Sequence, residues 1–176
     1  MVADLTHHLL SNWPYVLLGA LLIVFMGSGV YRSRHAFNIW VAKKHLRRIR
    51  RIDNVPQRFG FCRAVNAYIF EEMVLTAFQR AGFKIKRSAS YSGDGGKDGE
   101  VKINGRWHYI QTKRYTSHIK MSHVKEFRAL CERKRVRGVF VHCGRTSKAT
   151  WGELGSNVQM ISGSTLMKLL VDNSYQ

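Results

Sequence analysis

Acidic residues are scarce in this 176-residue chain, and their scarcity sets its electrostatic character. Only 11 Asp and Glu residues stand against 29 Lys and Arg, which gives a formal net charge of +18. A basic excess of this size is typical of a protein that meets a polyanion, either a nucleic acid or an anionic membrane surface. The sequence contains no zinc-finger motif and no RNA-binding aromatic motif, so the charge alone does not specify which polyanion.

Cysteine is also sparse, with Cys62, Cys131 and Cys143 widely spaced along the chain. No CxxC or Cys/His ligand pattern occurs, which argues against a zinc site. An odd number of distant cysteines argues against a disulfide framework and favours a reducing compartment. Internal repeats and low-complexity tracts are absent as well, and the length suits one domain with an appendage.

Charge is missing altogether from the run Trp13–Tyr31, which has aromatic residues near both ends. About 20 apolar residues rising 1.5 Å each would cross a bilayer core, and the aromatic ends suit its two interfaces. A cleaved signal peptide would want basic residues before the run, which are lacking. A buried core helix is the second alternative. The sequence predicts a single transmembrane helix within residues 1–31.

A basic segment, residues 32–56, follows the apolar run. The positive-inside rule places this side in the cytoplasm, so we expect a cell inner-membrane protein with a cytoplasmic C-terminal domain. Apolar residues spaced for one helical face suggest a basic amphipathic helix that binds anionic lipids. Nucleic-acid binding and a plain solvated linker are the alternatives, and Pro56 marks the end. The basic residues are Arg32, Arg34, Lys43, Lys44, Arg47, Arg48, Arg50 and Arg51, and the apolar ones are Phe37, Trp40, Val41, Ile49 and Ile52.

A predicted β-hairpin organises the rest of the chain. Asn104-Gly105 is a strong signal for a tight turn, because both residues tolerate positive φ. In the strand after the turn, Gln111 and Lys113 share one face. Asp98 opens the strand before it, directly after the glycine-rich turn at 93–96. The hairpin is therefore expected to bring Asp98 level with Gln111 and Lys113 at one end of a sheet.

A carboxylate and an amide oxygen are hard ligands that suit Mg²⁺, with Mn²⁺ as the alternative ion. A metal-bound water could attack a phosphodiester while a lysine offsets the charge that develops. The alternative without a catalytic role is that Asp98 only begins a strand and Lys113 is a solvated lysine at the sheet edge.

The order of these motifs resembles the PD-(D/E)xK nucleases, and most closely the catalytic domain of Mrr-like restriction endonucleases. The residues that carry the resemblance are GDGGKD, ending at Asp98, and QTKRY, which supplies Gln111 and Lys113. It extends from residue 66 to 170 and includes Glu71 in an upstream helix. The resemblance implies a Mg²⁺-dependent endodeoxyribonuclease with Asp98, Gln111, Lys113 and Glu71 as catalytic residues and Asp98, Gln111 and Glu71 as metal ligands.

Three departures qualify this resemblance. The motif has Gln111 where a glutamate would bind Mg²⁺ more strongly. Asp94 precedes Asp98 and is an alternative ligand, although it lies within the glycine turn. A membrane segment stands where Mrr-like enzymes often carry a DNA-recognition domain, which puts sequence-specific restriction in doubt.

Residues 57–176 are expected to form an α/β domain, with a mixed central sheet flanked by helices. In its first helix, Asn66–Ala81, Glu71 lies beside the apolar stripe and Glu72 on the opposite side. Pairing with an arginine is the alternative role for Glu71. The remaining predicted elements are a strand at Phe83–Ala89, a helix from Ser122 as N-cap to Arg135, a central strand at Gly138–Cys143, a strand at Gln159–Ile161, and a last helix capped by Ser162 or Ser164.

Five cations in or near loops are candidate DNA contacts: Lys97, Arg114, Lys120, Lys125 and Arg145. Phosphate neutralisation by such residues is independent of sequence, although each could be only a solvated charge. The favoured function is a membrane-anchored DNA endonuclease. The alternatives are an inactive DNA-binding or scaffolding module of the same fold and a membrane-surface protein that binds lipids and a protein partner. A homodimer is compatible with the sequence, which does not fix the oligomeric state.

Overall fold

The computed structural model describes the backbone of residues 2–88 and 96–175, and the side chains of residues 13–23, 25, 34–88 and 96–175. Cα packing divides the chain into two compact units, Met1–Phe37 and Asn38–Gln176. The boundaries expected from the sequence lie after residues 31 and 56 instead. Residues 32–56, predicted as a separate segment, are thus divided, with 32–37 in the first unit and 38–56 in the second.

The first unit is the beginning of a long helix, α1, which runs Val2–Arg50. Its described side chains are mostly apolar and exposed, with exposed fractions of 74% at Ile23 and 75% at Phe25. The predicted transmembrane run, Trp13–Tyr31, lies partly outside the described side chains, at residues 24 and 26–31. No helix within the described residues is long and apolar enough to cross a membrane. The predicted transmembrane helix is therefore not supported, since a crossing takes about 20 consecutive apolar residues.

The second unit begins with the last turns of α1. Ala42, Leu46 and Ile49 are fully buried at helical spacing and belong to a hydrophobic core. The predicted helix in this segment is confirmed, but its buried face differs from the expected one. Phe37 and Trp40 are exposed, because the face that meets the core carries the smaller Ala42 and Leu46.

A second helix, α2, runs Val55–Ala64 and packs beside the end of α1. The rings of His45 and Phe61 meet edge to face, with centroids 5.2 Å apart. Asn54 caps α2 by accepting a hydrogen bond from the Gln57 amide. Pro56 lies in the first turn of α2, where a missing amide proton costs nothing. Pro56, predicted to mark the end of the basic segment, therefore also helps to start α2.

A five-stranded mixed sheet forms the centre of the second unit, in the order β1-β2-β3-β4-β5. The first three strands are antiparallel, and β4 and β5 run parallel to β3. Asn104 and Gly105 connect β2 to β3 with φ of 48° and 79°, which confirms the predicted turn. The mixed sheet expected from the sequence is confirmed. The strands are β1 Lys84–Arg87, β2 Gly99–Ile103, β3 Arg106–Lys113, β4 Arg137–His142 and β5 Val158–Ile161.

Helices cover both faces of this sheet. One face packs against α3, Ala67–Arg80, together with the end of α1 and with α2. The last helical segment of the chain covers the same face, and it consists of α6, Gly163–Met167, followed by a π-helical turn, Lys168–Asp172. The other face packs against α4, Met121–Arg133, with the short helix α5, Lys148–Gly152, following β4. This arrangement confirms the predicted sheet flanked by helices.

Helix α4 differs from the prediction at its start and approaches the sheet closely. Lys120 occupies its N-cap position without a side-chain cap, so the predicted capping by Ser122 is wrong. A Cβ at Gly138 would lie 2.6 Å from the Cys131 sulfur and 2.7 Å from the Phe127 ring. Glycine at this position therefore lets α4 pack directly on β4.

Candidate active site

The β2–β3 register brings two predicted site residues to one end of the sheet. Gly99 pairs with Ile110, so Asp98, one residue earlier, falls beside Gln111. The Asp98 amide donates a hydrogen bond to the Ile110 carbonyl at 2.8 Å, which continues the ladder beyond the strand. Lys113 is the last residue of β3, two positions further on. The hairpin thus produces the convergence expected from the sequence.

The carboxylate of Asp98 is held by the backbone of the neighbouring strand. Its Oδ2 accepts a hydrogen bond from the Thr112 amide at 2.5 Å. The residue is half-buried at the point where β2 begins. A charge-assisted bond to a backbone amide limits the rotation of the carboxylate, so Asp98 has a fixed direction at the end of the sheet.

Gln111 is buried, and its two amide atoms have different environments. Its Nε2 donates to the Gly96 carbonyl at 2.7 Å. Its Oε1 is buried and has no hydrogen-bond partner within the described residues. Leaving a buried acceptor unsatisfied costs about 1–3 kcal/mol. An oxygen fixed in direction and lacking a partner is what a cation ligand would look like before the cation binds.

Glu71 of α3 completes the group from the helix side. Burial, followed by the negative charge of Asp98, raises the pKa of Glu71 to about 8. The Lys113 ammonium opposes this rise, and Glu72 adds to it. Asp98 and Lys113 thus both act electrostatically on Glu71. With a pKa near 8, Glu71 is mostly protonated at neutral pH in the absence of a cation.

Glu72 does not face away from the core, as the sequence analysis expected. It is the more deeply buried of the two acids, with 1% of its surface exposed. Arg87 of β1 donates to its carboxylate at 2.8 Å and also to the Thr76 hydroxyl at 3.2 Å. The expectation failed because α3 is buried on more than one side, so the side opposite the apolar stripe meets β1. Glu72 is therefore a structural ion-pair partner.

The donor set of the site fits a hard divalent cation, although it is small. Within the described ranges, no group of three or more His, Cys, Asp or Glu side chains could hold a metal ion. Asp98 and Glu71 supply two carboxylates, and the unsatisfied oxygen of Gln111 supplies the third donor. Oxygen donors of this type suit Mg²⁺, which keeps several waters. The alternative ligand Asp94 lies outside the described residues.

The five predicted DNA contacts fall into two groups. Arg114, Lys120 and Arg145 are exposed in the loops that follow β3 and β4. A parallel bridge between His118 and Arg145 joins these loops at the end of the sheet that carries Lys113. The other two cations are already paired, Lys97 with Glu100 at 2.6 Å and Lys125 with Glu153 at 3.5 Å. The first group is thus the better placed to meet a phosphate.

Two further residues near the site were missed by the sequence analysis. The Tyr115 hydroxyl and His123 Nδ1 lie 2.6 Å apart, and their rings stack. Burial, followed by the charge of Lys113, lowers the pKa of His123, which places this histidine near the catalytic lysine candidate. A lone histidine in the first turn of a helix carries no motif. The backbone partners Gly96 and Thr112 were missed too, and only the glycine turn gave a signal for one of them.

Comparison with known proteins identifies a family that the chain matches. Residues 62–170, more than half of the chain, match the family model Mrr_cat, described as restriction endonuclease. The matched region contains all four candidate catalytic residues and the strands that carry them. No curated protein and no solved structure matches the chain.

Proposed function

The chain belongs to the Mrr_cat restriction endonuclease family, and on that premise we propose that it is a Mg²⁺-dependent endonuclease that hydrolyses DNA phosphodiester bonds. Restriction endonucleases typically use divalent metal ions, and a nuclease domain of this family implies DNA as the substrate. Asp98, Gln111 and Glu71 would hold the ion, and Lys113 would act on the phosphate. Mn²⁺ is the alternative ion.

The observation that carries the proposal is the state of the donor atoms at the end of the sheet. Burial, and after it the negative charge of Asp98, raise the pKa of Glu71 to about 8, and the buried amide oxygen of Gln111 lacks a partner among the described residues. Both features reduce the stability of the folded protein when no cation is bound. A bound cation would remove both costs by favouring the ionised carboxylates and satisfying the amide. When bound, it would also polarise a phosphate oxygen and lower the pKa of water.

The chain's own residues supply the other parts of the reaction. The Lys113 ammonium can neutralise charge that develops on the phosphate in the transition state. Glu71, ionised once the cation is bound, would help to hold the attacking water beside the phosphate. The Thr112 amide and the Gly96 carbonyl keep Asp98 and Gln111 in position. The exposed cations Arg114, Lys120 and Arg145 would hold the DNA backbone.

The test is to measure DNA cleavage and DNA binding on the same substrate at one salt concentration. Asp98→Ala should abolish Mg²⁺-dependent cleavage and leave binding intact or stronger, because a negative charge near the phosphates is lost. Lys113→Ala should abolish cleavage and weaken binding slightly. Asp53→Ala is the matched control, since Asp53 is an exposed acid outside the matched region. A double variant at Asp98 and Lys113 that still cuts DNA at the parental rate would refute the site.

An inactive DNA-binding module of the same fold is the second candidate. It is favoured by the small donor set, in which an amide replaces a third carboxylate and Glu71 tends to be protonated. Such a protein would bind DNA in a salt-dependent way. It would not cleave linear, circular or single-stranded DNA in either Mg²⁺ or Mn²⁺, and that combination decides between the two functions.

We further propose that the protein acts at the cytoplasmic face of the inner membrane. Support comes from the uncharged Trp13–Tyr31 run, the exposed apolar side chains of its described part and the basic residues that follow. Cell fractionation with carbonate extraction tests this location, and release of the chain into the soluble fraction would refute it.

Lipid binding by the basic segment is a separate proposal. Replacing Lys43, Lys44, Arg47 and Arg48 with Gln should weaken binding to anionic vesicles by about 1 kcal/mol per charge. Unchanged vesicle binding together with lost DNA binding would assign the segment to the nucleic acid. The predicted homodimer stays a prediction that sedimentation can test.

A further inference from the structure

A cationic cleft lies at the opposite end of β3 from the candidate active site. Its volume is about 390 Å³, and three arginines from three different elements line it. Arg106 begins β3, Arg137 begins β4, and Arg135 follows the end of α4. The half-buried Trp107 and Asn157 also line the cleft. This volume lies in the range of small-ligand sites, about 300–1,000 Å³.

The positive charge of this cleft is not balanced by its surroundings. None of the three guanidinium groups forms an ion pair or side-chain hydrogen bond within the described residues. The cleft's one acidic lining residue, Glu132, is 3.4 Å from Arg128, which is not a lining residue. The Lys86 ammonium lies 4.2 Å from the centre of the Trp107 ring, but it is 4.0 Å from the Glu100 carboxylate and so does not count among the unpaired cations. Several unpaired cations held near one another repel and favour an anionic ligand.

Arg135 is held in the cleft by an unusual backbone. Its φ is +53°, in the left-handed region that favours glycine. The Val136 amide donates to the Cys131 carbonyl and the Arg135 amide to the Glu132 carbonyl, both at 3.0 Å. This is the Schellman arrangement, in which glycine is the usual residue. Arginine is less stable than glycine in this backbone conformation, and ending α4 does not need an arginine side chain. The turn also fixes the direction in which the Arg135 side chain leaves the helix.

We propose that this cleft binds a phosphate of the DNA strand that the active site cleaves, so that DNA follows β3 from one end to the other. Arg106 and Gln111 are five residues apart on one strand, which corresponds to about 17 Å. Successive phosphates along a DNA strand advance about 3.4 Å, so the cleft would meet the backbone roughly five nucleotides from the scissile bond. The inference rests on the proposed function and adds a second anchor to it.

The test uses the 176-residue chain with Asp98→Ala, which binds DNA without cutting it under the proposed function. Arg135→Gly is the decisive variant, because it removes the cation and also relieves the backbone. It should leave the thermal midpoint unchanged or raise it by up to about 4 °C, while DNA affinity falls about 5–10-fold near 0.1 M salt. The slope of log affinity against log salt should become shallower by about 1. Arg106→Gln and Arg137→Gln should each have a similar effect on binding.

Arg133→Gln is the matched control, because Arg133 is an exposed arginine of the same helix end that does not line the cleft. Its effect on affinity should stay within about twofold, because its exposed side chain does not line the cleft and would not contact the bound phosphate. Equal losses in Arg133→Gln and Arg135→Gly, or an unchanged salt slope in Arg135→Gly, would overturn the cleft while leaving the proposed function intact. Binding of AMP that is lost in Arg135→Gly without any loss of DNA affinity would also overturn it. A parent chain that binds no DNA would overturn both proposals.

Discussion

Replacing Glu71 with Gln tests the electrostatics of the site without any assumption about catalysis. Burial and Asp98 raise the pKa of this carboxyl from its usual 4.5 to about 8 in the folded protein. The folded state therefore holds the proton more tightly than the unfolded state does. Stability from this group is fully present below about pH 4.5 and is lost progressively as the pH rises to about 8. Glutamine cannot ionise, so the variant should escape this loss.

The size of the effect follows from the pKa difference. Each tenfold change in proton affinity is worth about 1.4 kcal/mol, so the unscreened limit is about 5 kcal/mol. Glu71 is only half-buried, and water reaching its carboxylate at high pH reduces this value. We expect the free energy of unfolding of the Glu71→Gln variant, relative to the parent, to rise by about 1–2 kcal/mol between about pH 5 and about pH 9.

The assay is urea denaturation of the parent and the variant at both pH values without divalent cations. Glu126→Gln, at an exposed position of α4, controls for the loss of one carboxyl. A stability difference that is the same at both pH values would show that Glu71 does not carry the raised pKa. A difference of the opposite sign would show that Lys113 dominates over Asp98 and burial.

Three further changes test other parts of the structure. Gln111→Glu should lower the Mg²⁺ concentration needed for half-maximal cleavage, because a carboxylate binds Mg²⁺ more strongly than an amide does; an unchanged or higher requirement would remove Gln111 from the metal site. Glu72→Gln should lower the free energy of unfolding by about 2–3 kcal/mol, because Arg87 is left without its buried partner; urea denaturation measures this, and a loss within error would contradict the structural role. Leu46→Ala should cost about 2–5 kcal/mol in the same assay, whereas a negligible cost would mean that the end of α1 is not part of the core.

The hairpin and the site residues on it could be predicted because their geometry is local. Asn104-Gly105 fixes the turn, and the turn fixes which residues of β2 and β3 face each other. Asp98 and Gln111 then meet without any knowledge of the rest of the fold. The central strand β4 could also be predicted, since an apolar run bounded by polar residues is typical of a buried parallel strand.

The remaining features depend on contacts between distant segments. The basic residues of 38–50 favour a lipid-binding amphipathic helix, yet in the fold this segment packs into the core through Ala42, Leu46 and Ile49. Glu72 looked solvated because a single apolar stripe implies one covered face. Helix α3 is covered on two sides, which no periodicity within the helix reveals. The cleft at Arg135 depends on the meeting of three elements and on one left-handed residue.

The amide at position 111 has a physical consequence that links stability to activity. A third carboxylate beside Glu71 and Asp98 would place three acids near Lys113 and would raise the pKa of Glu71 further. Without a cation the site would then be more destabilised at neutral pH than it is with Gln111. With a cation it would bind more strongly. The Gln111→Glu variant should therefore lose stability in the absence of Mg²⁺ and gain more from its addition than the parent does. This pairing of opposite effects would follow from a metal-binding role of Oε1 and not from a purely structural amide.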